Sequence, residues 1–490
     1  MSALRSTQGH SPTLAQFSEW WPVFLVAALA FGLRATLIGA HAFQMDEAYY
    51  AGFSRGILHG DVLVTRGALC DKPPFQFYCG ALGMALFGVS DNSVRIIDCA
   101  MSAAECAVLV WALLPLAGSA AALGASLLLA TAPLHRAYGA SGLTDVPFSL
   151  ALSLSCILAL RGRANASAVA MGIALWSKQT AFFFLPLPFL FLAVAGGQPR
   201  ALKRWAAITA FGGGALFAWS FLFQHPRLGF IVLERAGQSE VGPHLNGWGG
   251  RISVWIELGR EILVWPGLFP VLAFLGLLVS VALAIQNRIA KAWALIPLIP
   301  AYGLLVYSLM GMRLFDRYFT PLTWALAAIP ALGAAATAPK SWIGRCARWA
   351  VLALGMAAWL QSRTYAFSPE NQGAPGQTSE GIHSVLGDLR RLSPDGGAAL
   401  SDEGGLFWLG SWYLPAAWSC WDGATDSNFC RLFQDKPTRP IYWVGREPHV
   451  PPAGWRWTPA VREKDPRGGG DWVALRVIGT RACGPAVESR

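Results

Sequence analysis

A chain of 490 residues that is 54% hydrophobic and 13% charged, with 22 tryptophans, is too apolar for an ordinary soluble domain, whose charged share is about a quarter. Its net charge of +10 comes without a basic helix or a Lys/Arg run interleaved with stacking aromatics, which argues against a nucleic-acid partner and for anionic membrane lipid. Nine cysteines without CxxC or Cys/His metal spacing argue against a zinc module.

The chain starts with a polar stretch. The apolar run that follows has no small-residue cleavage site before Asp46, so it is expected to be a retained span rather than a signal peptide. Eleven apolar runs are long enough to enter a bilayer: Trp21–Ala40, Arg95–Leu116, Ala120–Pro133, Val146–Leu160, Ala166–Ser177, Ala181–Ala195, Trp205–Phe223, Ile262–Ile285, Trp293–Met310, Tyr318–Ala336 and Trp349–Gln361. The expected class is a polytopic α-helical membrane protein. Loops at Arg161–Arg163, Arg200–Arg204, Gln286–Lys291 and Pro339–Arg348 each carry at least two Lys/Arg and no acid, so they are assigned to the cytoplasm. The opposite face then receives 41–92, 134–145, 177–180, 224–261, 311–317 and everything after Arg363.

The first outer loop is dense in polar residues, and two short interfacial helices are expected in it. In the first, Ala48, Phe53 and Ile57 share a face while Asp46, Glu47 and Arg55 project elsewhere. In the second, Asp71 stands at an N-cap position and Pro73-Pro74 suit a first turn, so Phe75–Phe87 should open with free amides beside Lys72, a ready anion site. Deeper in the membrane, Glu105 lies roughly 15 Å along the second span. Arg34 approaches the same leaflet from the first span, which suggests a structural ion pair.

After Ser362 the composition changes. Pro, Gly and charge rise, strand-like runs appear at Ala398–Leu400, Ile441–Val444 and Trp472–Val477, and Ile382–Leu392 has helical spacing. The division expected is a transmembrane catalytic domain, 1–362, containing the first outer loop 41–92, and a C-terminal α/β domain, 363–490. Cys420 and Cys430 have the means to pair if that domain lies outside the cytoplasm.

This topology collects Asp46, Glu47, Asp71, Lys72, Arg95, Asp145, Lys178, His244, Arg313 and Arg317 on the outer side, where each charge at a membrane edge requires a partner. Duller readings exist for most of them. Asp145 caps a helix, Lys178 snorkels, Arg313 and Arg317 anchor the interface, and His244 is solvated in a Gly/Pro-rich loop.

The order Asp46-Glu47-Ala-Tyr-Tyr, Asp71-Lys72-Pro73-Pro74, Leu86-Phe87-Gly88-Val89 with Arg95, Thr144-Asp145-Val-Pro, and Ser177-Lys178 before an apolar span resembles the GT-C glycosyltransferases that use polyprenyl-phosphate sugars. Within that group it is most similar to the lipid A aminoarabinose transferase and to protein mannosyltransferases, over Trp21–Pro186 and again at Arg317-Tyr318-Phe-Thr-Pro321. The resemblance implies a GT-C fold and sugar transfer from undecaprenyl phosphate to a lipid, glycan or protein acceptor, with inversion, at the periplasmic face of a bacterial inner membrane. It makes Asp46 the catalytic carboxylate, with Glu47 and Asp145 beside it. It gives Lys72 and Lys178 the lipid phosphate, joined by Arg313 and Arg317. No cofactor is required, but Asp71 and His244 are implied as two ligands of an optional divalent metal, with no third in view. A transporter that binds the same lipid without chemistry is the alternative. It is disfavoured because the charges sit at span ends on one face rather than at midplane breaks.

Overall fold

The computed structural model describes residues 14–39, 43–65, 70, 72–224, 252–253, 256, 263, 265, 268–286, 291–309, 316–337, 341–364, 380–401, 406–415, 417–422, 426–435, 439–447, 451, 454–464 and 471–479. The chain divides into two compact units. One comprises 1–37, 67–76 and 96–371, the other 38–66, 77–95 and 372–490. The helices of the first outer loop thus group with the C-terminal segment.

The first unit is helical. Its described helices are α1 (Leu14–Ala35), α4 (Asp91–Thr131), α5 (Pro133–Tyr138), α6 (Asp145–Leu160), α7 (Ala164–Ser177), α8 (Ala181–Phe184), α9 (Pro186–Val194), α10 (Pro199–Trp219), α11 (Leu268–Gln286), α12 (Ile299–Leu309), α13 (Thr320–Ala336) and α14 (Trp342–Thr364). Among the described residues, the helical segments 91–131, 199–223, 317–336 and 342–362 are long and apolar enough to cross a membrane alone. The others are shorter, yet each apolar run read from the sequence overlaps a described helix. The long helix α4 accounts for two of those runs. It is broken at Gly118, whose φ of 78° only glycine adopts without strain, three residues after Pro115.

The outward faces of these helices carry side chains that water would not tolerate in such numbers, among them Phe211 at 79% exposure, Ile285 at 74% and Leu222 at 68%. Inside, small residues let backbones meet. A Cβ on Gly124 of α4 would lie 2.2 Å from the carbonyl oxygen of Val351 in α14, and one on Gly355 would lie 2.4 Å from the oxygen of Gly124. Helices in lipid gain their association from such close van der Waals approach, because hydrocarbon supplies no hydrophobic drive.

The second unit contains α2 (Met45–Leu58), most of α3 (Phe75–Phe87), and a five-stranded sheet. Its strands are β1 (Ala398–Ser401), β2 (Ser419–Asp422), β3 (Ile441–Arg446), β4 (Arg456–Glu463) and β5 (Trp472–Gly479), in the order β2-β1-β3-β5-β4. The first three run parallel, while β5 is antiparallel to both β3 and β4. Strand period two sorts the side chains into two cores. Ala399, Tyr442, Val444 and Ala474 pack under α15 (Glu380–Leu392) and α16 (Leu406–Tyr413), while Leu400, Trp443, Val473 and Leu475 pack under α17 (Asp426–Asp435). In α15, Ile382, Val385, Leu386 and Leu389 supply the buried stripe that the sequence spacing foretold.

Two strands were not legible in the sequence. The short β2 has only four residues, and β4 is an irregular edge strand, mostly exposed, with Pro459 at a register shift. The cysteine expectation is also corrected. Cys430 is disulfide-bonded and Cys420, a buried thiol, is not, so the two do not pair.

Candidate functional site

Local sequence explains where the first-loop helices start. Gln44 caps α2, and its backbone N–H donates to Glu47 Oε2 at 3.0 Å. Pro73 and Pro74 immediately precede α3, where a missing N–H costs nothing. The two helices pack tightly: a Cβ on Gly80 would stand 2.4 Å from Ser54 Oγ. Tyr50 and Phe53 of α2 pack against Phe77 with tilted rings, at centroid distances of 5.5 and 4.9 Å.

This packing corrects the picture of α2 as a helix with one buried face. Glu47, expected to project away from it, is fully buried together with Ala48, Tyr49, Tyr50, Ala51, Phe53 and Ser54. Arg95 explains why. Its Nε donates to Glu47 Oε1 and its Nη2 to Glu47 Oε2, both at 2.9 Å, while Nη1 donates to the carbonyl of Ile38 at 2.8 Å. Both side chains of the pair are 0% exposed. Asp46, one residue earlier, is half-buried in the first turn.

Removing either member of a buried, bidentate pair deprives the other of two charged hydrogen bonds. Glu47→Gln is expected to destabilise the protein by about 3–5 kcal/mol, and Glu47→Gln/Arg95→Met to recover much of it. Thermal unfolding in detergent reads this, and a silent Glu47→Gln would refute the brace.

In the first unit, α7 ends at Ser177, and Lys178 follows in extended backbone (φ −154°, ψ 133°). Its Nζ reaches Asp145 Oδ1 at 2.5 Å, the two side chains being 5% and 3% exposed. The ammonium also lies 4.7 Å from the centroid of the Tyr318 ring, which stacks on Tyr307 at 4.9 Å. Asp145 opens α6, which sets its carboxylate at that helix's N-terminus. Lys178 is thus a buried cation held by the Asp145 carboxylate against the Tyr318 face. Arg317, half-buried, precedes Tyr318 in the turn that leads into α13.

One turn along α6, Ser149 Oγ donates to Glu105 Oε1 at 2.9 Å and lies 3.1 Å from the carbonyl of Thr320. Glu105 Oε2 is 2.9 Å from His135 Nε2, and His135 Nδ1 is 2.6 Å from Arg34 Nη2. Arg34 Nε donates to Ser102 at 2.6 Å. The expected Arg34–Glu105 pairing is therefore bridged by His135, a residue the sequence reading passed over. The chain of contacts is buried throughout and ties α1, α4, α5 and α6 to the start of α13.

Asp98, another residue the sequence reading missed, is fully buried and accepts from Gln76 Nε2 at 2.8 Å. A signal for it existed: Asp91, Arg95, Asp98, Ser102 and Glu105 are spaced 4, 3, 4, 3 along α4, one polar ridge on an otherwise apolar helix.

Lys72 is half-buried, with Cys70 Sγ against its carbonyl at 2.9 Å. Asp71, Arg313 and His244 lie outside the described residues, so the two tentative metal ligands are among those not placed. Among the described residues no three His, Cys, Asp or Glu side chains converge as a metal site would need.

The model of the dolichyl-phosphate-mannose-protein mannosyltransferase family matches residues 71–221. No curated protein sequence matches. Among solved structures, ArnT from Cupriavidus metallidurans bound to undecaprenyl phosphate superposes with a TM-score of 0.66 at 16% identity, covering 93% of this chain and 97% of that one. Its apo form gives 0.64, also at 16% identity, with 95% and 98% covered. The Archaeoglobus fulgidus oligosaccharyltransferase tethered to an acceptor peptide gives 0.56 at 14% identity, covering 88% of this chain and 69% of that one. Over nearly its whole length, and with a C-terminal sheet domain, this chain has the GT-C membrane fold of those glycosyltransferases.

Proposed function

We propose that the protein is an integral membrane glycosyltransferase that moves one sugar from a polyprenyl-phosphate carrier, of the undecaprenyl-phosphate class, to a lipid, glycan or protein acceptor. The observation that carries this reading is the Lys178–Asp145 pair. A lysine ammonium 5% exposed among apolar helices and seated on a tyrosine ring is suited to a departing phosphate. The family match and the structural likeness to a protein crystallised with undecaprenyl phosphate support the same chemistry.

In the reaction an acceptor hydroxyl attacks the anomeric carbon as the bond from that carbon to the phosphate oxygen breaks. The bonding electrons leave with the polyprenyl phosphate, and the hydroxyl proton passes to Asp46. A single displacement inverts the anomeric centre. Lys178, with Lys72, Arg313 and Arg317, neutralises the phosphate as charge builds on it. Asp145 keeps Lys178 aimed, and Glu47 holds the first turn of α2, and with it Asp46, through Arg95.

The direct test is release of polyprenyl phosphate by the purified protein from a polyprenyl-phosphate sugar, dependent on added acceptor. Passage of the intact lipid-linked sugar across a proteoliposome bilayer, without cleavage, would favour a transporter instead.

The reading places the reaction at the periplasmic face of an inner membrane. The disulfide at Cys430 supports an oxidising compartment for the C-terminal segment, and the acid-free basic loops support the opposite side for Arg163 and Arg348. Cys346, exposed at the start of α14, is a native probe of that side. In intact cells Cys346 is expected to resist a membrane-impermeant maleimide, whereas a cysteine introduced at the exposed Val62 reacts. The reverse labelling pattern would turn the site to the cytoplasm.

A further inference from the structure

A cavity of about 380 Å³ lies wholly within the unit formed by 38–66, 77–95 and 372–490, and shares no residue with the Lys178 site. Arg55 of α2 and Arg390 of α15 both line it, with Asp91, Trp412, Tyr413 and Val89. Its size falls in the range of small-molecule sites.

The charges inside it are arranged in a particular way. Asp91 is committed to the wall: its Oδ1 accepts from Trp412 Nε1 at 2.7 Å and its Oδ2 from the Tyr413 hydroxyl at 2.5 Å. That hydroxyl in turn accepts from the backbone N–H of Phe43 at 2.8 Å. Burial, and then the Asp91 carboxylate, hold the Tyr413 phenol well above the ordinary tyrosine range, so it remains a donor. Arg55 lies over the Trp412 ring at 5.1 Å and donates through Nη2 to the carbonyl of Ser411 at 2.8 Å, which fixes its guanidinium at the pocket. Neither Arg55 nor Arg390 forms an ion pair with a described residue, since Glu47 is taken by Arg95 and Asp388 by Arg391. Two guanidinium groups therefore line one concave site whose one described carboxylate, Asp91, is bonded to the wall.

The surroundings say what kind of anion comes there. On α3, Leu82 and Leu86 share one face at 52% and 61% exposure, and Val89, at 55%, both continues that surface and lines the cavity. An apolar surface beside a basic, tryptophan-lined pocket is the chemistry of a bilayer interface, where acyl chains give way to phosphates. A water-soluble metabolite would have no use for the leucine face. We propose that this pocket binds the phosphate of an anionic phospholipid, with Arg55 and Arg390 on the headgroup and the acyl chains along Leu82, Leu86 and Val89. Occupancy would seat the loop helices and the sheet domain on the membrane surface.

The test uses the full-length protein extracted from bilayers of phosphatidylcholine and phosphatidylglycerol, with retained lipids counted by native mass spectrometry. Arg390→Gln removes an exposed side chain without disturbing a described contact, and is expected to lower phosphatidylglycerol retention about fivefold. Arg55→Gln/Arg390→Gln should lower it by at least about twentyfold, with phosphatidylcholine retention unchanged. Arg163→Gln, a basic residue elsewhere, should change neither. Equal phosphatidylglycerol retention in wild type and Arg390→Gln would overturn the proposal, whatever the double variant does. Displacement of the lipid by millimolar inorganic phosphate would overturn it as well, since the pocket would then recognise a free anion and not a headgroup.

Discussion

Asp145→Ala is expected to lower stability by about 3–5 kcal/mol and to abolish measurable binding of the polyprenyl-phosphate sugar. The first effect follows from burial. Lys178 is 5% exposed, and its buried ammonium would lose the carboxylate that lies 2.5 Å from it. A stranded lysine loses its proton or draws in water, and in either case no fixed cation awaits the phosphate. The second variant separates fold from function. Asp145→Ala/Lys178→Met replaces the pair by apolar groups, which is often neutral or stabilising by about 1–4 kcal/mol relative to the intact pair. Its melting temperature should return close to that of the parent, while donor binding stays lost. Binding of the lipid-linked sugar is read by its protection of the protein against heating. If the double variant binds the donor as the parent does, the pair only braces α6 against α7 and the phosphate is held elsewhere.

Asp46→Asn should retain donor binding and lose at least about 100-fold in turnover, provided the acceptor is an ordinary hydroxyl. A positioned carboxylate contributes about 10²- to 10⁴-fold when it takes a proton from a group of high pKa. An acceptor that is already anionic, such as a phosphate, has no proton to give. With such an acceptor the same variant should lose much less, and Asp46 would act only by position or field. Turnover ratios on a weakly and a strongly acidic acceptor decide between these roles. Equal losses on both rule out the base, and full activity on both removes Asp46 from the reaction. Glu47 sits next to it in sequence, but its two oxygens are occupied by Arg95, so Glu47→Gln should act on stability first.

These predictions draw unequally on sequence and structure. The residues themselves came from the sequence: Asp46, Asp145 and Lys178 were singled out by their place at span ends and by their resemblance to the polyprenyl-phosphate enzymes. Their partners did not. Lys178 and Asp145 are separated by 33 positions and Glu47 and Arg95 by 48, and no local pattern states which charge meets which. His135 was missed because a lone histidine after a proline reads as a loop residue. Its place between Arg34 and Glu105 exists only once α5 folds back against α1 and α4.

By itself the sequence determined the membrane class, the helical runs, the break in α4 near Gly118, the span of α3 and the main stripe of α15. All of these follow from hydrophobic period, proline and glycine, which act over a turn or two of backbone. Only the tertiary structure decided that the first-loop helices group with the C-terminal sheet, that Cys430 does not pair with Cys420, and that β4 closes the sheet as an exposed edge. It also decided that Glu47 faces inward. An isolated α2 would turn that carboxylate to water, and it is buried because Arg95, brought in by the first turns of α4, supplies two hydrogen bonds and a charge that offset its desolvation.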